Sequence, residues 1–582
     1  MSKQVIPIFY ACDDAFVKFT VVSMHSIIKN ASKDYQYKFY ILHTGITEKM
    51  MEHVYGLRTD NVDVEFRDVT DYLRSISHKL PLRDYYSKTT YFRLFIAEMF
   101  PEYDKAIYID SDTVVQGDIS EMYLTDVGEA YLGACNEQVM VQVDVYGKYV
   151  ERVVGVSRYN FFNAGVLLIN CRRFRASHVL DKFTEYLGIY NFAVTQDEDY
   201  LNLICKDHVH WLDQRWNTEI FGEIPYPIEE AKVLHYIMTN KPWHYHDCRY
   251  GDIFWSYASE TAVYEDIKAQ LDAYTDELRE RDRISGENLL ALAISETERE
   301  DNFLNIMLGK CAPDRVAVLK KIKEYEKSGQ FDRDVEDDPP TRTLMPDEID
   351  YVKKSPIKRI KTRLAYKAAR KFVYRLIDEK KLIIKEIRGI ENFKNLTCGA
   401  VITCNHFNAY DSFAMQIAYE AAEQPNRTLY RVIREGNYTS FGGFYGRLMR
   451  NCNTLPLSSN PATMRKFTKA TVDHLKNGSF VLFYPEQSMW WNYRKPKPLK
   501  EGAYYFAAKS KTPVLPCFIT MKDSEIRDSD GFFVQEYTIH VGKPIFPDES
   551  LSLPERITAM QEENARVWQK IYETEYSMPL VY

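Results

Sequence analysis

Short apolar runs alternate with amphipathic stretches from residue 5 to about 250, and this alternation narrows the available folds more than any other feature of the chain. Runs 5–10, 37–42, 62–66 and 105–109 read as strands, and 16–30, 47–57 and 90–99 as helices. Strands alternating with helices predict a mostly parallel sheet with helices on both faces. Ligands of such sheets sit beyond the C-terminal ends of the strands. Asp110 and Asp112 fall at such an end, directly after run 105–109. The alternation resumes from Leu382, with strands at 400–403, 429–433, 480–484 and 514–519 and a helix after Asp411. At 582 residues the chain is too long for one core, so several domains are expected.

The stretch between the two α/β regions has a different character. Residues 256–327 read as a charged helical connector, either a helical subdomain or a spacer. Residues 328–346 combine Asp332, Asp334, Glu336, Asp337 and Asp338 with Pro339, Pro340 and Pro346, the composition of a linker. Segment 353–381 carries twelve Lys/Arg against two acids. Within it Ile357, Ile360, Leu364, Ala368, Phe372 and Leu376 recur at steps of three or four, which predicts one apolar stripe on a basic helix. Such a helix suits an anionic membrane surface, although the stripe could equally pack on the next domain.

Net charge is −8, which argues against a general nucleic-acid binder. The ten cysteines are scattered, without metal-ligand spacing, as expected of reduced thiols in a cytosolic protein. The start of the chain has no charged leader followed by an apolar stretch, and no run of 18 apolar residues occurs. The expected location is therefore cytoplasmic.

Asp110 and Asp112 are two apart, so in an extended segment both carboxylates point to one side. Two hard oxygen donors there suit Mg²⁺ or Mn²⁺ with open positions for a diphosphate. An Asp-x-Asp alone is weak, since surface carboxylate pairs are common. The wider pattern adds Ala11-Cys12-Asp13-Asp14, Thr89-Thr90-Tyr91-Phe92-Arg93-Leu94, Tyr108-Ile109-Asp110-Ser111-Asp112-Thr113 and Leu132-Gly133-Ala134-Cys135. It continues with Phe161-Phe162-Asn163-Ala164-Gly165-Val166, Asp197-Glu198-Asp199-Tyr200-Leu201-Asn202, His235 and Lys241-Pro242-Trp243. In this order the motifs resemble glycosyltransferase family 8, the retaining enzymes of GT-A (Rossmann-like) fold, across about residues 4–250.

The resemblance implies a role for each matched position. Ala11 and Asp13 would meet the uracil of a UDP-sugar, and Asp110, Asp112 and His235 would bind the metal. Lys241 would contact the diphosphate, Arg93, Asn163 and Ala164 would line the donor, and Asp197 would hold sugar hydroxyls. The family usually has Gln where this chain has Glu198, near the anomeric carbon. A carboxylate there could stabilise oxocarbenium character or act as nucleophile. Glu137 stands where an Asp is frequent, which implies a part in choosing donor or acceptor.

His406 and Asp411 follow the strand at 400–403. A strand–loop–helix turn could bring Asp411 against the imidazole, whose free nitrogen would deprotonate an acceptor hydroxyl attacking an acyl thioester. The bland alternative is a histidine that caps the helix. Asn405-His406 with Asp411, Phe483-Tyr484-Pro485-Glu486, Leu499-Lys500-Glu501-Gly502-Ala503 and Val514-Leu515-Pro516-Cys517 together resemble the lysophospholipid (glycerolipid) acyltransferase family over about 380–545. That resemblance implies His406, Asp411 and Glu486 as catalytic, acyl-CoA or acyl carrier protein as donor, and work at the membrane surface.

Two departures stand out. The family's Gly-Thr-Arg after the Glu is replaced by Gln487-Ser488-Met489, followed by Trp490-Trp491-Asn492-Tyr493-Arg494. The block at 453–458 ends without its usual Arg. Arg447, Arg450, Arg494 or Lys495 could replace the missing cations, Arg494 being the substrate-binding choice, and the aromatic cluster could stack on a sugar. The expected acceptor is thus a hydroxyl of a lipid or glycan.

These readings give a domain at 1–255, the connector at 256–327, the linker at 328–346, the basic helix at 347–381 and an α/β acyltransferase domain at 382–582. The whole reads as a bifunctional enzyme on the inner face of the cell membrane, moving a hexose from a UDP-hexose and an acyl group to a lipid or glycan acceptor. Two rivals remain: an idle acyltransferase half that serves as a lipid-binding anchor, and a scaffold that binds partners through the connector.

Overall fold

The computed structural model describes residues 3–71, 88–337, 341–352 and 356–582. It divides into two compact units, 1–307 and 308–582. Both are α/β. None of the described helices is long and apolar enough to cross a membrane.

In the first unit the strands are β1 (Val5–Ala11), β2 (Gln36–His43), β3 (Val62–Asp68), β4 (Ala106–Ile109), β5 (Thr113–Val115), β6 (Leu132–Asn136), β7 (Phe162–Ile169), β8 (Val209–Trp211), β9 (Thr218–Glu219) and β10 (Val233–His235). Seven of them form a sheet in the order β3-β2-β1-β4-β7-β6-β8. Five consecutive residues of β1 are buried, as a strand covered on both faces requires. One face carries helix α1 (Val17–Asn30), and the other packs on Tyr91, Phe92 and Phe95. Helix α2 (Asp197–Cys205) lies beside β7.

The parallel partners of β1 are β2 on one side and β4 on the other. The chain therefore reverses its winding between β1 and β4, and a crevice opens at their C-terminal ends. Ala11 and Asp13 leave β1 there, and Asp110 leaves β4. A small sheet, β5-β10-β9, closes the crevice: β10 pairs His235 with Thr113 on one side and Glu219 on the other.

In the second unit the strands are β11 (Ile383–Arg388), β12 (Ala400–Thr403), β13 (Leu429–Ile433), β14 (Thr454–Pro456), β15 (Phe480–Phe483), β16 (Val514–Arg527) and β17 (Phe533–Val541). Their order is β11-β17-β16-β12-β15-β13-β14, all neighbours parallel except β16 with β17. The central strand β12 is wholly buried and delivers His406 from its C-terminal end. Three helices concern the site: α3 (Pro356–Asp378), α4 (Asp411–Ala421) and α5 (Gly443–Asn451).

Two sequence expectations change here. Residues 256–327 are not one body: Ala293 and Phe303 are in the first unit's core, whereas Val318 and Ile322 pack with Trp490 in the second. Segment 331–337 is no free linker either. Phe331 stacks on Trp490 at 5.6 Å, Trp490 Nε1 donates to the Arg333 carbonyl at 2.8 Å, and Asp334 pairs with Arg434 at 2.6 Å. Phe331 and Val335, spaced among the acids, supply the anchoring apolar surface that acidity and proline content conceal. Pro339, Pro340, Lys353 and Lys354 lie outside the described residues.

Candidate functional sites

The crevice of the first unit gathers ten of the sequence-predicted residues into one polar network, counting Asp110, Asp112, His235, Lys241, Arg93, Asn163, Ala164, Glu137, Asp197 and Glu198. Asp110, Asp112 and His235 each offer a ligand atom, all within 4.8 Å of one another. The Asp110 N–H donates to the Gly165 carbonyl at 2.7 Å, which sets Gly165 against the trio. A Cβ on Gly165 would lie 2.4 Å from His235 Cε1 and 2.6 Å from Asp110 Oδ2, so only glycine leaves the cradle open. His235 Nδ1 donates to Asn217 Oδ1 at 3.0 Å, which leaves Nε2 as the ligating nitrogen, now 3.1 Å from Asp112 Oδ1. Two carboxylates and an imidazole, with this shared cradle, fit a divalent cation.

Cations already balance the acids. Burial would raise the Asp112 carboxyl, but Lys241 and His235 hold it far below its ordinary value. Lys241 Nζ bonds Asp112 Oδ2 directly. Arg93, 6% exposed, spans the site: it pairs with Asp197 at 3.0 Å, approaches Asp110 at 3.6 Å, and donates to the Ala164 carbonyl. Burial lifts Asp197 to about 6 against the pull of Arg93.

A second chain of bonds runs away from the Asp110–Asp112–His235 trio. Asn217 Nδ2 donates to Asn163 Oδ1 at 2.8 Å, and Asn163 Nδ2 donates to Glu137 Oε2 at 2.5 Å. The Ala164 N–H donates to Glu198 Oε2 at 2.8 Å, and the Gln138 N–H to Glu219 Oε2 at 3.0 Å. Burial and then Glu137 push both Glu198 and Glu219 well above the usual carboxylate range. Gln196, just ahead of Asp197 and Glu198, has φ 53° and ψ −108°, a strained conformation for a residue with a side chain. Asp13 caps the entry to α1 by accepting from the Phe16 N–H at 3.1 Å. Asn217 and Glu219 escaped the sequence reading. Glu219 meets His235 through the pairing of β9 with β10, and Asn217, just ahead of β9, through its side-chain oxygen, links that no local motif records.

In the second unit His406 Nδ1 donates to Asp411 Oδ2 at 2.7 Å, so Nε2 is the free basic nitrogen. Asp411 is 1% exposed and also accepts from the Phe407 N–H at 3.3 Å. The imidazole stacks on Tyr484 with centroids 4.3 Å apart, and its side chain keeps 23% of its surface in solvent, enough for an acceptor to reach it. The helix-capping alternative fails, because the contact is ring nitrogen to carboxylate.

Glu486, expected as catalytic, has a different task. Its Oε2 accepts from the His406 N–H at 2.9 Å and its Oε1 from the Lys497 N–H at 2.8 Å. With 2% exposure it fastens two backbone segments and is a positioning residue. The expected cation does not face the dyad either. Arg494 pairs with Asp523 at 2.9 Å and reaches Gln535 at 3.3 Å, while Lys495 bonds Glu326. Arg450 donates to the carbonyls of Tyr438 and Phe441. Trp490 is core, with Trp491 and Tyr493 half-buried against it: it is 0% exposed and meets Tyr493 edge-on at 5.0 Å, so Trp490 cannot stack on a sugar.

Residues 7–247 match the model of glycosyl transferase family 8, and residues 385–520 that of the acyltransferase family. The chain carries a family 8 glycosyltransferase domain and an acyltransferase domain. Both are transferase domains. A putative glycosyltransferase of Haemophilus influenzae is 29% identical over 259 residues, 42% of this chain and 74% of that protein. Glycosyltransferase GlyE of Streptococcus pneumoniae is 26% identical over 269 residues, and the match spans 43% of this chain but only 60% of that protein. A lipopolysaccharide 1,2-glucosyltransferase of Escherichia coli is 24% identical over 260 residues, 42% of this chain and 74% of that protein. Among solved structures, the galactosyltransferase LgtC in complex with donor and acceptor sugar analogs is 27% identical, with a TM-score of 0.38, covering 46% of this chain and 100% of that one.

Proposed function

We propose that the family 8 domain transfers a glucose or galactose residue from UDP-hexose with retention, using Mn²⁺ or Mg²⁺, and that the acyltransferase domain moves a fatty acyl group from acyl-CoA or acyl carrier protein to a hydroxyl of a lipid or glycan. Together they would build an acylated glycolipid or envelope glycan at the inner face of the membrane. Tethering the two domains raises the effective concentration of a shared intermediate. The observation that carries this reading is the coexistence of a compact Asp110–Asp112–His235 trio with a His406–Asp411 dyad whose Nε2 is free.

Asp110, Asp112 and His235 would hold the cation, which when bound neutralises charge on the departing diphosphate. Lys241, now paired with Asp112, would turn its ammonium to the phosphates. Ala11 and Asp13 would meet the uracil, and Arg93, Asn163 and Ala164 would line the sugar. Asp197 would accept from its hydroxyls. In the other domain His406 Nε2 would take the acceptor hydroxyl's proton as the oxygen bonds to the thioester carbonyl carbon. The carbon–sulfur bond then breaks, and the thiolate leaves with the proton returned by His406. Asp411 holds the tautomer and stabilises the imidazolium.

Mass spectrometry of lipid extracts from cells with and without the gene tests the joint reading. The expected result is a new species heavier by one hexose and one fatty acyl group. Sugar and acyl appearing on two unrelated acceptors would end the idea of a shared intermediate.

Glu198 is proposed to meet positive charge developing on the donor sugar. Glu198→Gln keeps the shape and removes the carboxylate, so kcat should fall roughly 10²-fold with KM little changed. Because Glu198 sits above the usual carboxylate range, the wild type should gain rate as pH rises and the proton leaves. The variant should lack that limb. Unchanged turnover in Glu198→Gln would dismiss the role.

A further inference from the structure

The basic helix α3 departs from the single stripe that its spacing predicts. Steps of four residues drift about 40° around a helix, so the row winds from one face to another. Leu376, at its end, is buried in the unit's core, with Phe372 packed against it. Ile357, Ile360 and Leu364, at its start, are 65%, 58% and 62% exposed. Residues 356–361 are all exposed, and the one ion pair of these turns among the described residues is Lys358 with Asp350 at 3.3 Å. Lys361, Arg363 and Lys367 flank the three aliphatics and make no ion pair among the described residues. Further along, Tyr374 is 49% exposed.

The helix is nevertheless held firmly. Tyr366 OH accepts from Arg431 Nη1 at 3.2 Å and donates to the Cys452 carbonyl at 3.1 Å. Arg431 also bonds Ser412 at 3.1 Å, and Gln416, both on the helix that begins at Asp411. The Phe372 ring meets Phe413 at 5.9 Å and Tyr445 of α5 at 5.9 Å. One end of α3 is therefore locked to the helix bearing the dyad's carboxylate, and the other presents its aliphatics to solvent.

We propose that the exposed end of α3 is a docking face for an anionic phospholipid surface, with Ile357, Ile360 and Leu364 entering the headgroup–acyl boundary and Lys361, Arg363 and Lys367 meeting lipid phosphates. This rests on, and deepens, the reading that the acyltransferase domain works on a lipid. Exposed aliphatics on a helix rim of unpaired cations match an anionic bilayer in both apolarity and charge. An acidic protein partner would satisfy the cations, but it would leave binding indifferent to lipid composition.

Co-sedimentation of the full chain with phosphatidylcholine vesicles, with and without phosphatidylglycerol, tests the proposal. The wild type should pellet with the anionic vesicles only, and salt should release it. I360E/L364E should lose at least about tenfold in partitioning. K361Q/R363Q/K367Q should lose on the order of 10²-fold. All these positions are outside the core, so thermal unfolding and acyl transfer to a short-chain soluble acceptor should match the wild type. Equal pelleting with neutral vesicles, no pelleting with either, or variants that pellet like the wild type would overturn the docking face. His406→Ala should pellet undiminished, so a failed chemistry and a failed docking give different results.

Discussion

Asp112→Asn should lower hexose transfer by about 10³-fold or more, and added Mn²⁺ should not restore it. Asp112 is the node of the crevice: one oxygen faces His235 Nε2 at 3.1 Å and the other takes Lys241. The change removes the charge that pairs with Lys241 and that a bound metal would use, and it leaves Lys241, 8% exposed, without its counter-ion. Two measurements check the outcome: donor hydrolysis as Mn²⁺ is titrated, and direct metal binding by calorimetry. Wild-type metal affinity in the variant would show that the trio does not hold the ion. Acyl transfer to a pre-glycosylated acceptor should continue, because no residue of the second dyad lies in the first unit.

His406→Ala should cost acyl transfer roughly 10³-fold, while UDP-hexose turnover stays at the wild-type level. The imidazole is aligned from three sides, by Asp411 on Nδ1, by Tyr484 on its face and by Glu486 on its backbone N–H. Truncation removes the proposed base and leaves that frame in place. Asp411→Asn should be milder in binding and severe in rate, since the frame survives and the tautomer does not. Thioester consumption measured beside hexose transfer on the same preparation separates the two activities. Acyl transfer unaffected by His406→Ala would favour the rival reading, a lipid anchor in place of a second enzyme.

Some misreadings have a common cause. Arg494 and the Trp490 cluster were legible as residue types, but their partners, Asp523 and Phe331, lie far away in sequence. The acidic stretch at 331–337 looked like solvent-exposed linker because its composition averages out two apolar anchors. Glu486 sat in a motif next to the dyad, and only its two backbone N–H partners reveal that it fastens loops.

The pattern of residues along the chain was enough for two α/β regions and for the strand ends beyond which Asp110, Asp112 and His235, and His406 with Asp411, come together. Those features depend on local periodicity and short spacings, which a linear string preserves. The remainder came from three-dimensional neighbours. Glu219 reaches the first site through the pairing of β9 with β10, Asn217 through its bond to His235, Gly165 through the pairing of β7 with β4, and the Arg431 guanidinium ties α3 to α4. Which half of the α3 stripe is buried likewise depends on where α4 and α5 stop. Burial and counter-charge are properties of packing, and residues distant in sequence create them.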